Sequence, residues 1–193
     1  IFNEMGLGDE IHFSMFVPEL IKKNINVIFQ VSNPLYELYK NFHSKIKVIK
    51  QNDLLPKFDF SISIMSLPYY LDLDKNNFPR PKKFLFADKK KVSLCNNKLS
   101  KSKLKIGFVY SGSNKNPSNK FREINIKKFS KLFTKNEDCD FFNLSNDNST
   151  EDIAYLKNFK NVYVYSKNEM NFENTASLCM NLNLVITVDT SIA

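Results

Sequence analysis

The sequence predicts an α/β protein made of two units, each with a mostly parallel sheet. Three observations carry this expectation. Short apolar runs such as "INVIFQV", "LKIGFVYSG" and "LVITV" read as buried strands, and they alternate with segments whose apolar residues recur at helical spacing. That alternation occurs twice. Between the two occurrences, residues 79–105 dissolve into proline, lysine, asparagine and serine, the composition of a linker.

Along the first unit, Ile11, Phe13, Phe16, Val17, Leu20 and Ile21 mark a helix over residues 9–23. A strand follows at 25–31, a short helix opens after Asn33, and strands are expected at 46–50 and 58–65. In the second unit, strand 104–109 runs into a glycine turn. Helices are then expected near 126–133, 151–156 and 172–182, with strands at 140–145, 161–166 and 184–188. The chain opens on "IF" just before a glycine turn and ends on "DTSIA" just as a helix should begin, so it reads as a piece of a longer protein.

Composition narrows the class. Apolar residues make up 42% and charged residues 25%, which suits folded domains rather than disorder. No apolar run approaches the roughly 18 residues that span a bilayer, and no secretory leader pattern is present, so a soluble cytoplasmic location is expected. The net charge of +8 is carried by dispersed lysine, with Arg80 and Arg122 the arginines. Basic runs at 80–83 and 89–91 read as solvated surface rather than as a nucleic-acid site, and membrane contact is at most peripheral. Cys95, Cys139 and Cys179 are far apart and lack a metal-ligand spacing, so they read as reduced thiols.

Each unit begins as strand, glycine turn, helix: "NEMGLGDEI" and "YSGSNKN". Glycines there let a ligand approach the backbone, and a helix N-terminus favours an anion. Neither turn carries a dinucleotide fingerprint or a P-loop, so each alone is also an ordinary turn. "DLD" at 72–74 and "DCD" at 138–140 imitate a metal-binding Asp-x-Asp, a spacing too common to assign.

Taken together, "EMGLGDEIHFSMFVPEL", "FDFSISIMSLP", "FPRPKKFL", "IGFVYSGSNKNPSNKFREI" and "NFENTASLCMNLNLVITVDTSIA" resemble, in order along the chain, glycosyltransferase family 9. These are the heptosyltransferase-like enzymes, and the match is to the bacterial branch often fused to tetratricopeptide repeats. The resemblance implies a GT-B fold of two Rossmann-like domains. An acceptor-side domain would cover 1–100, including a linker from about 86, and a nucleotide-sugar-binding domain would cover 101–193, incomplete at its C-terminus. It implies inverting, metal-independent transfer from a nucleotide sugar to a glycan, lipopolysaccharide or protein acceptor, with no cofactor beyond the donor. The rival is a non-catalytic sugar- or protein-binding module on the same fold.

The resemblance also assigns residues. Asp9, beside Gly8 at a helix start, matches the base that takes the acceptor's proton, although an aspartate there also suits a helix cap. His12, three residues on, shares its face. Ser111, Gly112 and Ser113 match the phosphate-side turn, with Lys120 and Arg122 as its cations. Asp189, Thr190 and Ser191 match the donor edge. Departures stand at Met15, Tyr110, Ser113, Asn119 and Glu123, where the relatives carry Arg, Trp, Asn, Asp and Ser.

Overall fold

The computed structural model describes residues 1–79, 83–113, 116–145, 147–166 and 168–193. Residues 80–82 of the first basic run and 114–115 of the second glycine turn lie outside the described residues. Contacts divide the chain into two compact units, Ile1–Phe86 and Ala87–Ala193. The protein is mixed α/β with parallel sheets.

The first unit holds α1 (Leu7–Phe13) and α2 (Val17–Lys22), separated by a short 3-10 turn, where one helix over 9–23 was expected. Pro18 explains the break. It lacks an N–H and is accommodated in the first turn of a helix, so the chain restarts there. Strands β1 (Val27–Val31) and β2 (Ile46–Lys50) pair in parallel, with α3 (Tyr36–Tyr39) between them. Val27, Phe29 and Val31 alternate into the core, where the Phe29 and Tyr39 rings meet edge to face at 5.4 Å. The Tyr39 hydroxyl is 2.7 Å from Ser14 Oγ, which satisfies both groups in that interior.

The strand expected over 58–65 is not formed as such. Pro56 precedes it, and Phe58 and Phe60 stand exposed. What remains is a bridge at Ser63: Phe2 N donates to Ile62 O (3.1 Å) and Ile64 N to Phe2 O (2.9 Å). On the other side of that pair, Gln30 N donates to Ile1 O at 2.9 Å. The spatial order is therefore β2, β1, residues 1–2, residues 62–64, with α4 (Leu67–Tyr70) after the last.

The second unit opens with a helix, α5 (Lys89–Lys98), inside the stretch expected to be linker. Asp88 caps it by accepting from Lys91 N at 3.0 Å, and lysine is a good helix former, so the run propagates despite its charge. Strand β3 (Leu104–Val109) leads to α6 (Ile126–Phe129) and α7 (Lys131–Lys135), and β4 (Cys139–Asn143) leads to α8 (Thr150–Leu156). Next come β5 (Val162–Tyr163), α9 (Phe172–Cys179) and β6 (Leu184–Thr187). The four strands lie parallel in the order β5-β4-β3-β6.

This sheet is covered on both faces. Phe108, Phe129, Phe133 and Phe141 form a core with α6 to α8, and Val109, Phe142, Leu144 and Leu178 form another with α9. Gly107 lets β3 accept that second layer, since a Cβ would stand 2.6 Å from Leu182 Cδ1 and 2.7 Å from Leu144 Cδ1. Both units thus share one connectivity. Three parallel segments step outward in one direction, and the fourth returns to the other side of the first, an order compatible with a Rossmann-like fold.

Among the described residues no helix is long and apolar enough to cross a membrane.

Candidate functional site

In an open parallel sheet, ligands bind outside the carboxyl ends of the strands, where the strand order reverses. In the second unit that place is the gap between the ends of β3 and β6. The register puts Val109 beside Thr187 and Phe108 beside Asn143, so three strands release the chain along one edge. The predicted residues Ser111, Gly112, Asp189, Thr190 and Ser191 all follow these two ends.

Gly112 and Thr190 pack together. A Cβ on Gly112 would stand 3.4 Å from Thr190 Cγ2 and 2.9 Å from Asn119 Oδ1, so only glycine allows this approach without displacing the loop. Asn119, 4% exposed, organises the turn: its Oδ1 accepts from Gly112 N (2.8 Å), and its Nδ2 donates to Ser111 Oγ (3.0 Å) and Glu123 (3.2 Å). The Gly112 N–H and the Ser111 hydroxyl, expected to face phosphate, therefore already have internal partners. Ser113 is exposed, its carbonyl accepting from Asn116 N at 3.0 Å.

Arg122 does reach the edge. Its Nη1 donates to the Asp189 backbone carbonyl (3.0 Å) and to Oδ2 (3.1 Å), spanning the two turns. The Asp189 side chain is 84% exposed, and an ion pair so wet contributes about 0–1 kcal/mol. Its effect is to place the guanidinium. Arg122 Nε is buried and has no partner among the described residues. Lys120 is not brought to the turn; it is exposed and lies over the Phe121 ring, 5.0 Å from the centroid.

Thr190 Oγ1 accepts from Ile192 N (3.3 Å) and is 3.3 Å from Thr187 Oγ1. Among the described residues, the backbone N–H groups of Thr190 and Ser191 and the Ser191 hydroxyl make no hydrogen bond. These donors, with Arg122, are what the edge offers to an anion. On the neighbouring strand pair, Tyr110 OH donates toward Asn148 Oδ1 (2.8 Å) and Asp152 Oδ2 (3.1 Å). Burial and the adjacent Asp152 carboxylate raise its phenol above the ordinary range.

In the first unit the reversal lies between residues 1–2 and 62–64, and the loop that leaves it leads into α1. Gly8 is the second residue of α1 and Asp9 the third. Asp9 Oδ2 accepts from Gly6 N at 3.2 Å, so the carboxylate does act as a cap while remaining half-exposed. His12 makes no contact with it among the described residues; its ring meets Phe13 at 5.4 Å.

Sequence reasoning missed Glu10, which is fully buried. Its carboxylate accepts from Ser32 N (3.0 Å) and Ser32 Oγ (2.6 Å), and Asn3 Nδ2 donates to the same Oγ at 3.3 Å. Asn3 in turn closes on Met5 through its N–H and its carbonyl, at 3.1 and 2.9 Å. The loop that presents Asp9 is thereby tied to the end of β1. Ser63 also donates to the Glu4 carboxylate, fixing the loop to the fourth segment. Burial raises the Glu10 carboxyl above its usual range, with the Ser32 hydrogen bonds opposing the shift.

One member of each Asp-x-Asp pair has partners within the fold. Asp74 accepts from Asn76 N (2.7 Å) and Asn77 N (3.1 Å) in a turn, and buried Asp140 pairs with Lys103 Nζ at 3.4 Å. Among the described residues no group of His, Cys, Asp or Glu side chains has the arrangement to hold a metal ion. Comparisons of the chain with protein-family models, with curated proteins and with solved structures find no match.

Proposed function

We propose that this chain belongs to a glycosyltransferase of two Rossmann-like domains that moves a sugar from a nucleotide donor to a glycan, lipopolysaccharide or protein acceptor. The observation that carries the reading is the meeting of the Ser111–Gly112 and Asp189–Thr190 turns where the strand order of the second sheet reverses, with Arg122 joining them. The departing diphosphate takes the Thr190 and Ser191 N–H groups and the Arg122 guanidinium, which offset its charge. Asp9 in the first unit is the base for the acceptor hydroxyl. The residue pattern described above, which resembles glycosyltransferase family 9, supports the same assignment.

One observation favours the rival, a binding module without turnover. Asn119 Oδ1 already accepts the Gly112 N–H, which leaves one donor fewer for a diphosphate.

Thermal unfolding of the full chain with a panel of nucleoside diphosphates and nucleotide sugars tests both. A ligand at one hundred times its Kd stabilises the native state by about 2.7 kcal/mol. Protection by a nucleotide sugar with slow release of free sugar supports the transferase. Protection without release supports the binding module, and no protection by any nucleotide overturns the assignment of this edge.

A further inference from the structure

Helix α4 is anchored by Leu67 and Leu71, both buried, yet it turns Tyr69 and Tyr70 outward at 83% and 71% exposure. Single exposed apolar residues are ordinary, but these two touch: their ring centroids are 5.3 Å apart and their planes meet at 89°. They form an open corner with an aromatic face on each wall. Among the described residues neither phenol hydroxyl has a hydrogen-bond partner.

The chain leaves α4 through Asp72, whose φ is 55°. Asp72 N donates to Tyr69 O (3.0 Å) and Leu73 N to Pro68 O (2.9 Å), the left-handed close of a helix that glycine usually makes. Any side chain is disfavoured there relative to glycine. The Asp72 carboxylate does not hold the turn, which Asn77 Nδ2 closes on the Asp72 carbonyl (2.8 Å) and Asp74 on two backbone N–H groups. It is exposed and, among the described residues, without a partner.

The corner stands where an acceptor is needed. Residues 62–64 run parallel to residues 1–2, and α4 and the Asp9 loop leave the carboxyl ends of these two neighbouring segments. Helix α1 packs against the Ile64–Ser66 turn, and Ser63 donates to the Glu4 carboxylate, so the two exits are tied together. A pyranose ring has faces of C–H bonds that pack on an aromatic ring, and a rim of hydroxyls that hydrogen-bond to a carboxylate and to phenols. A peptide would call for a free strand edge or an apolar groove, whereas the chain after the corner is exposed and polar at Lys75, Asn76 and Asn77.

From this juxtaposition of a paired aromatic corner and an unpartnered carboxylate held in a left-handed turn, we infer that Tyr69, Tyr70 and Asp72 form a subsite for a pyranose ring of a glycan acceptor. One face of the ring stacks on a tyrosine, and the Asp72 carboxylate accepts from its hydroxyls. The acceptor role rests on the transferase reading; saccharide binding itself does not.

Saturation-transfer NMR of the full chain with maltohexaose and chitohexaose, and with decaproline as the peptide control, tests this without a nucleotide. Saturable binding of at least one oligosaccharide is expected, with transfer to its ring C–H protons, and binding about tenfold weaker in Tyr69→Ala and in Tyr70→Ala. Asp72→Gly separates contact from fold: glycine suits the left-handed turn, so the melting temperature is kept or raised while saccharide binding weakens several-fold. Nucleotide protection should persist in all three variants. Failure of nucleotides to protect the unaltered chain strikes the transferase reading, whereas failure of both oligosaccharides to bind saturably overturns this subsite. So does saccharide binding that is unmoved by the tyrosine and Asp72 changes, or that decaproline matches.

Discussion

The Glu10 carboxylate accepts both the backbone N–H and the hydroxyl of Ser32, at 3.0 and 2.6 Å, while entirely shielded from solvent. A carboxylate in the first turn of a helix ordinarily faces water and complements the dipole. Here it joins the start of α1 to the end of β1 and holds the loop between them. The consequence is that loop shape and protonation state are linked.

That linkage has a sign. The folded-state pKa of Glu10 is raised, so the folded protein retains this proton to higher pH than the unfolded chain does. The contribution to stability is fully present below the unfolded carboxylate range and is lost as pH rises through the raised value. Urea unfolding across pH 4 to 8 is expected to show stability falling on this account, and Glu10→Gln, which cannot ionise, flattens that part of the profile. Glu10→Ala removes the acceptor of Ser32 N and costs about 1–3 kcal/mol.

Asn119 gives the second prediction. Replacing it with alanine leaves Gly112 N and Ser111 Oγ without their partner, and destabilisation of about 1–3 kcal/mol is expected by urea unfolding. Asn119→Asp keeps the acceptor for Gly112 N but loses the donors to Ser111 and Glu123 and sets two carboxylates together. It should therefore be the less stable at neutral pH and regain ground on acidification. Identical pH profiles for the two variants would show that the Asn119–Glu123 contact has no weight.

How much of this was legible beforehand depends on where the information lies. Strands β1, β2, β3, β4 and β6 carry their apolar residues in short runs or at strand spacing, a local property of the sequence, and they stand where the pattern places them. Helix α5 is hidden in the sequence because six of its ten residues are lysine or asparagine, which imitates a linker. The 58–65 segment looked like a strand because its apolar residues alternate, but Phe58 and Phe60 have no sheet to enter. Within the candidate site, glycine turns and acidic helix starts are visible as letters. The partners of those letters, Ser32 for Glu10 and Asn119 for Gly112, lie 22 and 7 residues away, and only the folded chain selects them.

Glycine positions provide a third prediction with two outcomes. At Gly107 an added methyl meets the ends of two leucine side chains, one of them the buried Leu144, so Gly107→Ala should cost about 1–3 kcal/mol through overpacking. At Gly112 the methyl meets Asn119 Oδ1, the atom that holds the turn. Gly112→Ala should disturb nucleotide protection more than it disturbs unfolding, and Gly107→Ala the reverse. Parallel losses in both assays for both variants would remove the distinction between core and edge.

The fourth concerns the two cations. Arg122 is tied to Asp189 across the turns, whereas Lys120 rests on an exposed phenylalanine. Arg122→Ala should weaken protection by a nucleoside diphosphate and reduce its salt sensitivity, while Lys120→Ala should change both little. Because the Asp189 carboxylate is 84% exposed, loss of the ion pair itself should shift the unliganded melting temperature little. Equal effects of the two substitutions on nucleotide binding would return Lys120 to the site.

The final prediction separates the two roles of Asp9. Its Oδ2 caps α1 by accepting from Gly6 N, and an asparagine oxygen can accept the same bond, whereas alanine cannot. Asp9→Asn is therefore expected to preserve the melting temperature and nucleotide affinity, and Asp9→Ala to lose about 0.5–2 kcal/mol of stability. Proton removal is different, because an amide has no basicity near neutral pH. In an active transferase, measured as sugar transfer to a supplied acceptor, Asp9→Asn should lower turnover by roughly two to four powers of ten while leaving the fold intact. Wild-type turnover in Asp9→Asn would reduce the residue to its cap and require another base. A rate loss seen only in Asp9→Ala would attribute the effect to the loop rather than to the proton.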